Sequence, residues 1–248
     1  LIKEKIITDY YFNVLKTRYC LTDKIADAEY CHSDSLTGRM TIKSGKQYLT
    51  VKKEERKFKK LSNENKIIEI DIKSCEPALL HSVLYGETVS DIYGYFANKY
   101  NIQKERKNIK LAVISSLYGA TLKRASKISG CNKELIMGVR KHFKIDEISE
   151  YLENEYNANG YILNMYGRPI YSKGSLLNYW LQSSSADYSC LGFYKLISDM
   201  NLKIHAIIHD AVIIEAKPDQ VKELEKIEKI NDPITNISLY VKKSEIDG

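Results

Sequence analysis

The sequence predicts an α/β fold of the α+β kind, an antiparallel sheet backed by helices, and two stretches carry that prediction. The first is Lys66–Leu84, KIIEIDIKSCEPALLHSVL. Ile67, Ile68 and Ile70 form a short β-branched run that reads as a buried strand. It ends on Asp71, and five residues later Glu76 and Pro77 open a helix, whose first turn tolerates proline. The second is His205–Glu215, HAIIHDAVIIE, in which Ile207 and Ile208 lead to His209-Asp210 and Val212–Ile214 resume the apolar run. A charged Asp flanked by two apolar triplets predicts the tight turn of a hairpin. An acid at the tip of an apolar strand costs desolvation unless something positive meets it. Taken alone, Asp71 reads first as a helix-capping residue. Two such acids from distant points in sequence are the minimum for holding a pair of divalent cations.

The 248 residues can bury a sizeable core, as one large domain or two. No run is apolar for long enough to cross a membrane, and the first residues, LIKEKIITDYY, lack a signal-peptide pattern. The net charge of +6 permits a polyanionic partner without requiring one. Cys20, Cys31, Cys75, Cys131 and Cys190 are scattered, with no CxxC and no zinc spacing, which reads as reduced thiols in a cytoplasmic setting.

Residues 1–19 place Ile2, Ile6, Tyr10, Val14 and Leu15 near helical periodicity. Asp34–Thr41 is a polar turn around Gly38, followed by strand-like alternation over Lys43–Val51. Arg39 beside that glycine is a candidate phosphate or base contact, with a plain surface arginine as the alternative. Lys52–Lys60, KKEERKFKK, fits a solvated helix face. Beyond the Asp71 strand and its helix, Gly86 makes a break, and Ser90 or Asp91 caps a helix running through Tyr100. Lys104–Gly119 is the most informative helix. Arg106, Lys110, Ile114 and Tyr118 stand at strict four-residue spacing, and each such step drifts only about 40° around a helix. They form one slanted stripe from two cations through an apolar side chain to an aromatic, the order in which a triphosphate and its base would meet them. The alternative is a basic surface helix whose Tyr118 merely packs. Ile109, Ala112 and Val113 can face inward, and Gly119 ends the helix.

Residues 121–158 continue as helices with a break at Gly130, and Tyr161–Tyr171 reads as a strand pair around Gly167-Arg168. Leu176–Met200 is a long helix whose small-residue patch, Ser183–Ala186, lets something approach its backbone. Asn178 and Gln182 share one of its faces, as a pair that is solvated by default. Residues 218–230 read as a further helix and Ile237–Val241 as the last strand.

The order of these parts resembles the polymerase module of the family A DNA polymerases, the bacterial repair polymerase and phage replicase group. Asp71-x4-Glu76 (DIKSCE) is similar to the first palm motif of that family, DYSQIE. Arg106-x3-Lys110-x3-Ile114-x3-Tyr118-Gly119 matches its fingers helix, R-x3-K-x3-F/Y-x3-Y-G, except at Ile114. His209-Asp210 is similar to HDE, and Thr37-Gly38-Arg39 matches the TGR element before the palm. Asn178-x3-Gln182 with Ala186-Asp187 resembles NAPxQGTAAD.

The resemblance implies an antiparallel-sheet palm (37–87 and 161–248), a helical fingers insertion (88–160) and an N-terminal helical segment, 1–36, as a thumb remnant. It implies template-directed addition of deoxyribonucleotides to a primer 3′-hydroxyl. Asp71 and Asp210 would be the catalytic acids, holding two Mg2+ ions for which Mn2+ could substitute. Arg106 and Lys110 would grip the incoming phosphates, Ile114 and Tyr118 would line the nucleotide pocket, and Glu76 would crowd the sugar 2′ position. Arg39, Asn178, Gln182, His209 and Gly119 would meet primer-template DNA.

Three departures qualify the match. Ala211 stands where a second acid is expected after Asp210, Ile114 replaces an aromatic, and only about thirty-five residues precede the TGR element. The last is too few for a full thumb or a proofreading domain, so the chain reads as a fragment or a reduced polymerase, with room for a partner that supplies a thumb or processivity. Template type stays open between DNA and RNA. The rival readings are ribonucleotide use and a nucleic-acid-binding module that has lost catalysis.

Overall fold

The computed structural model describes residues 3, 11–25 and 27–246. In chain order its elements are α1 (Tyr11–Thr22), β1 (Ala28–Cys31), β2 (Thr41–Gly45), β3 (Lys66–Ile72), α2 (Cys75–Tyr85), α3 (Ile92–Lys99) and α4 (Arg106–Leu117). There follow α5 (Leu122–Ser129), α6 (Lys133–His142), α7 (Ile145–Asn159), β4 (Ile162–Leu163), β5 (Pro169–Ile170) and α8 (Leu176–Met200). The chain closes with β6 (Lys203–Ile208), β7 (Ala211–Ala216), α9 (Pro218–Lys226), β8 (Lys229–Asn231) and β9 (Ser238–Ile246). Two compact units divide these elements, residues 11–73 with 185–246, and residues 74–184.

The first unit is built on the sheet that the sequence predicts. Its five strands run in the order β6-β7-β3-β9-β8, every neighbouring pair antiparallel. The β-branched run of β3 takes the central position, with Ile67, Ile68, Ile70 and Ile72 all buried. Each such side chain contributes about 1.5–3 kcal/mol by leaving water, so this strand anchors the unit. The second half of α8 is tied to the sheet by Tyr188. Its hydroxyl donates to the Ile230 carbonyl (2.9 Å) and accepts from the Leu239 amide (2.9 Å). The β1–β2 ribbon is fastened to edge strand β6 by Tyr30, whose hydroxyl accepts the Ile207 amide at 3.0 Å.

The second unit is helical. The inward face expected for α4 is buried at Ile109, Ala112, Val113 and Leu117. The small-residue patch on α8 admits the β4–β5 loop, because Ser183 accepts from the Asn164 side chain (2.9 Å) and Ser184 from the Met165 amide (3.1 Å). His81 on α2 and His142 on α6 stack inside a cage of Tyr85, Tyr95, Phe96 and Phe143, with Nδ1 of the first 3.0 Å from Nε2 of the second. Desolvation lowers the pKa of both imidazoles, that of His142 to about 4.

Several predicted boundaries are corrected. Lys52–Lys60 forms no helix beyond a single 3-10 turn at Lys53–Glu55, because Phe58 is drawn into the core to stack on Tyr48 at 5.1 Å. The alternation at Lys43–Val51 yields a strand only as far as Gly45. That residue has φ 87°, and a Cβ there would lie 2.4 Å from the Asp27 carbonyl oxygen, so the chain turns where only glycine fits. The helix expected over 218–230 stops at Lys226, since Lys229–Asn231 pairs with β9 as strand β8. That last strand continues to Ile246, five residues past the expected end. The described part of the helix read at residues 1–19 is α1, which runs on to Thr22, and Ile2, Ile6 and Tyr10 lie outside the described residues.

Candidate functional site

In the sheet unit the two acids are placed by backbone register. Asp71 is the next-to-last residue of β3 and stands directly opposite Ala211 of β7. Asp210 closes the two-residue turn between β6 and β7, and its carbonyl accepts the Ile72 amide at 3.0 Å. His209, the other turn residue, has φ 54°, the left-handed region that tight hairpin turns require. Both acids are half-buried, exposed enough to meet a ligand yet fixed by the ladder. On its other side Asp71 faces Lys242 of β9, a cation on a strand whose partner could not be read in advance. Directly opposite side chains share one face of a sheet, so Lys242 leaves the sheet on the same face as Asp71.

The Ala211 departure acquires a physical reading from this register. An acid at 211 would stand directly opposite Asp71, where like charges are destabilising. Alanine leaves two carboxylates, and among the described residues no group of three or more His, Cys, Asp or Glu side chains could hold a metal ion. Two hard oxygen donors suit magnesium, which takes one or two carboxylates and completes its shell with water and substrate phosphate.

The Thr37-Gly38-Arg39 turn belongs to the same unit. Gly38 has φ 68° and its amide donates to the Ser35 carbonyl at 3.0 Å, closing the turn. Arg39 is half-buried. Partial desolvation lowers the pKa of the His209 imidazole, the positive charge of Arg39 pushes the same way, and Asp210 opposes them.

In the helical unit the other predicted site residues are held mainly by side chains. Glu76 sits in the first turn of α2 and is buried, and its carboxylate accepts the Tyr118 hydroxyl at 2.6 Å. Arg106 opens α4. Its guanidinium reaches both carboxylate oxygens of Asp91, at 3.0 and 3.4 Å, and lies 4.9 Å over the Tyr93 ring. Asp91 also caps α3 by accepting the Tyr93 amide. Burial alone would raise its pKa, but bonds from Arg106 and from the Gly94 and Tyr93 amides hold it below the usual carboxylate range. Lys110 is exposed, while Ile114 and Tyr118 are half-buried one turn apart. Gly119 follows with φ 81°. On α8, Gln182 donates to Asn178 at 2.8 Å, so these two amides satisfy each other as well as facing outward in part.

Sequence reasoning did not foresee Lys242, the Asp91 partner of Arg106 or the buried Arg18–Asp187 pair. Each joins residues far apart or in loops, where no periodicity carries a signal. Only the helix-capping role of Asp91 was readable.

No protein-family model and no curated protein matches the sequence. Among solved structures the chain is similar to the POL domain of Pol1 from M. smegmatis in complex with DNA primer-template and dNTP. The match has a TM-score of 0.62 at 14% identity, and it covers 94% of this chain and 50% of that one. The chain thus spans half the length of that neighbour and shares with it the fold of a DNA polymerase POL domain.

Proposed function

We propose that the protein is a template-directed DNA polymerase of the family A type, adding deoxyribonucleotides to a primer 3′-hydroxyl. The observation that carries this reading is the pair Asp71 and Asp210, set at neighbouring strand ends of a sheet whose fold resembles a POL domain. That neighbour was solved with primer-template and dNTP, which supports the same classes of ligand here. Residues 88–160 would then be fingers, with 37–87 and 161–248 the palm.

Asp71 and Asp210 would hold magnesium ions, which in phosphoryl transfer activate the attacking oxygen and neutralise charge on the phosphates. Arg106 and Lys110 would bind the triphosphate, Arg106 by exchanging its Asp91 partner for phosphate oxygens. Glu76, held by Tyr118, would close the space a 2′-hydroxyl needs. Ile114 would cover the nucleotide with apolar surface. Arg39, His209, Asn178, Gln182 and the exposed backbone at Gly119 would meet the DNA, where contacts to acceptors common to all base pairs read shape over sequence.

The test is primer extension by Asp71→Asn and Asp210→Asn. Both variants should lose extension while keeping duplex affinity, because affinity comes mainly from phosphate contacts elsewhere. Extension near the wild-type rate by either would remove the carboxylate assignment.

A further inference from the structure

The Arg18 side chain is 2% exposed and its partner Asp187 fully buried, an ion pair joining α1 to α8 across 169 residues of sequence. The same guanidinium donates to the carbonyl of Gly38. Burying a charged pair carries a desolvation cost that often cancels its attraction, so such pairs are better at specifying geometry than at adding stability. The geometry specified here is that of one peptide plane. The Gly38 amide is already taken by Ser35, and Arg18 takes the Gly38 carbonyl. That carbonyl and the Arg39 amide belong to one rigid unit. Fixing it fixes the direction in which the chain leaves the turn, and with it the stem of Arg39. The planar fork of arginine can hold a carboxylate and a carbonyl together, which the single ammonium of lysine does less well.

We infer that Arg18 is a positioning residue, clamped by Asp187, that orients the Thr37-Gly38-Arg39 turn so that Arg39 can grip nucleic acid. This rests on the polymerase reading for what Arg39 grips, while the clamp itself is independent of it.

The experiment is a double-mutant cycle of Arg18→Lys and Arg39→Ala. Affinity for a DNA primer-template is read by fluorescence anisotropy, single-nucleotide insertion by steady-state kinetics, and folding by thermal melting. Arg39→Ala should weaken primer-template binding about tenfold or more, the scale of one charge-assisted contact. Arg18→Lys should weaken it comparably, leave the KM for dNTP within about twofold, and add nothing once Arg39 is alanine, since residues acting through one another are non-additive. Additive effects, or an Arg39→Ala variant that binds like the wild type, would overturn the proposal. If Arg18→Lys does not fold, Asp187→Asn, which keeps an acceptor for Arg18, takes its place in the cycle with the same outcomes. Coupled binding losses without any extension by the wild-type chain would defeat the polymerase reading and leave the clamp standing. Extension with additive losses would do the reverse.

Discussion

In the sheet unit the acids Asp71 and Asp210 are held by ladder hydrogen bonds, whereas in the helical unit Arg106, Glu76 and Tyr118 are held by one another's side chains and by Asp91. Shifting Asp71 by one residue would turn every β3 side chain to the opposite face, so the register protects its position cooperatively. The Arg106–Asp91 pair is 60% and 45% exposed, and an ion pair of that kind contributes no more than about 1 kcal/mol. Breaking it therefore costs little. The difference teaches that one unit fixes its carboxylates by backbone register while the other holds Arg106 by a weak, exposed ion pair.

The largest effect that sharpens this contrast is on stability against pH. In the helical unit the folded His142 has its pKa lowered to about 4 by desolvation and then by His81 and Lys99. Glu87 pulls His81 the other way. Tyr85 and Tyr95 complete the titratable groups facing the pair. The unfolded chain takes up a proton as pH falls through the ordinary histidine value near 6.5, while folded His142 resists until about 4. Stability from His142 is therefore complete above the ordinary value and is lost toward acid pH, by up to about 3 kcal/mol. In the sheet unit Glu215 has its pKa lowered against desolvation by bonds from Asn65, His205 and the Leu61 amide. Its contribution is lost only as pH falls below the ordinary carboxylate value, and the lowered imidazole of this unit, His209, is exposed at a hairpin turn. Hydrogen exchange between pH 7 and 5 should then show protection falling further in the helical unit, and His142→Phe should shrink the difference. Equal loss in both units would break the comparison.

Sugar selection comes next. Under the proposed role of Glu76 at the sugar 2′ position, Glu76→Ala should raise ribonucleotide use relative to deoxyribonucleotide use about tenfold or more. Tyr118→Phe, which removes only the hydroxyl that holds Glu76, should move the ratio less. An unchanged ratio for Glu76→Ala in single-nucleotide insertion would place the discrimination elsewhere.

Ile114→Phe or Ile114→Tyr should lower the KM for dNTP with kcat little changed, because aromatic stacking on a base is worth about 1–3 kcal/mol and acts on ground and transition state alike. The Tyr variant should also use dideoxynucleotides differently from the Phe variant. Equal KM values in all three proteins would put residue 114 outside the nucleotide pocket.

The smallest effect tests that ion pair itself. Asn caps a helix as well as Asp does, so Asp91→Asn should leave α3 and the melting temperature intact while freeing Arg106. The KM for dNTP should fall about two- to fourfold, within the range of an exposed ion pair. A rise would mean that Asp91 orients Arg106 and does not compete for it.

The contrast also explains what was legible in the sequence. The strand acids were readable because β-branched runs and a two-residue turn leave a strong local signal at Ile67–Asp71 and Ile207–Ile214. The bounds of α8 matched its apolar pattern at both ends, since a 25-residue helix has long periodicity. Pairings that depend on tertiary context were not readable. Lys229 and Ile230 looked helical until β9 supplied a partner, and Lys242 opposite Asp71 required the full register. Arg18 sat in a helix whose face could not be assigned, and Asp187 was noticed only as part of a motif. Glu76 was legible as an acid at a helix start, while the Tyr118 bond that holds it spans 42 residues.

The most direct test of the central claim is single-nucleotide insertion by the wild-type chain on four primer-templates that differ only in the templating base. With magnesium present, each template should direct addition of its own complementary deoxyribonucleotide, and chelation of the metal should stop all four. Addition of the same nucleotide on every template, or no addition on any, would contradict the account.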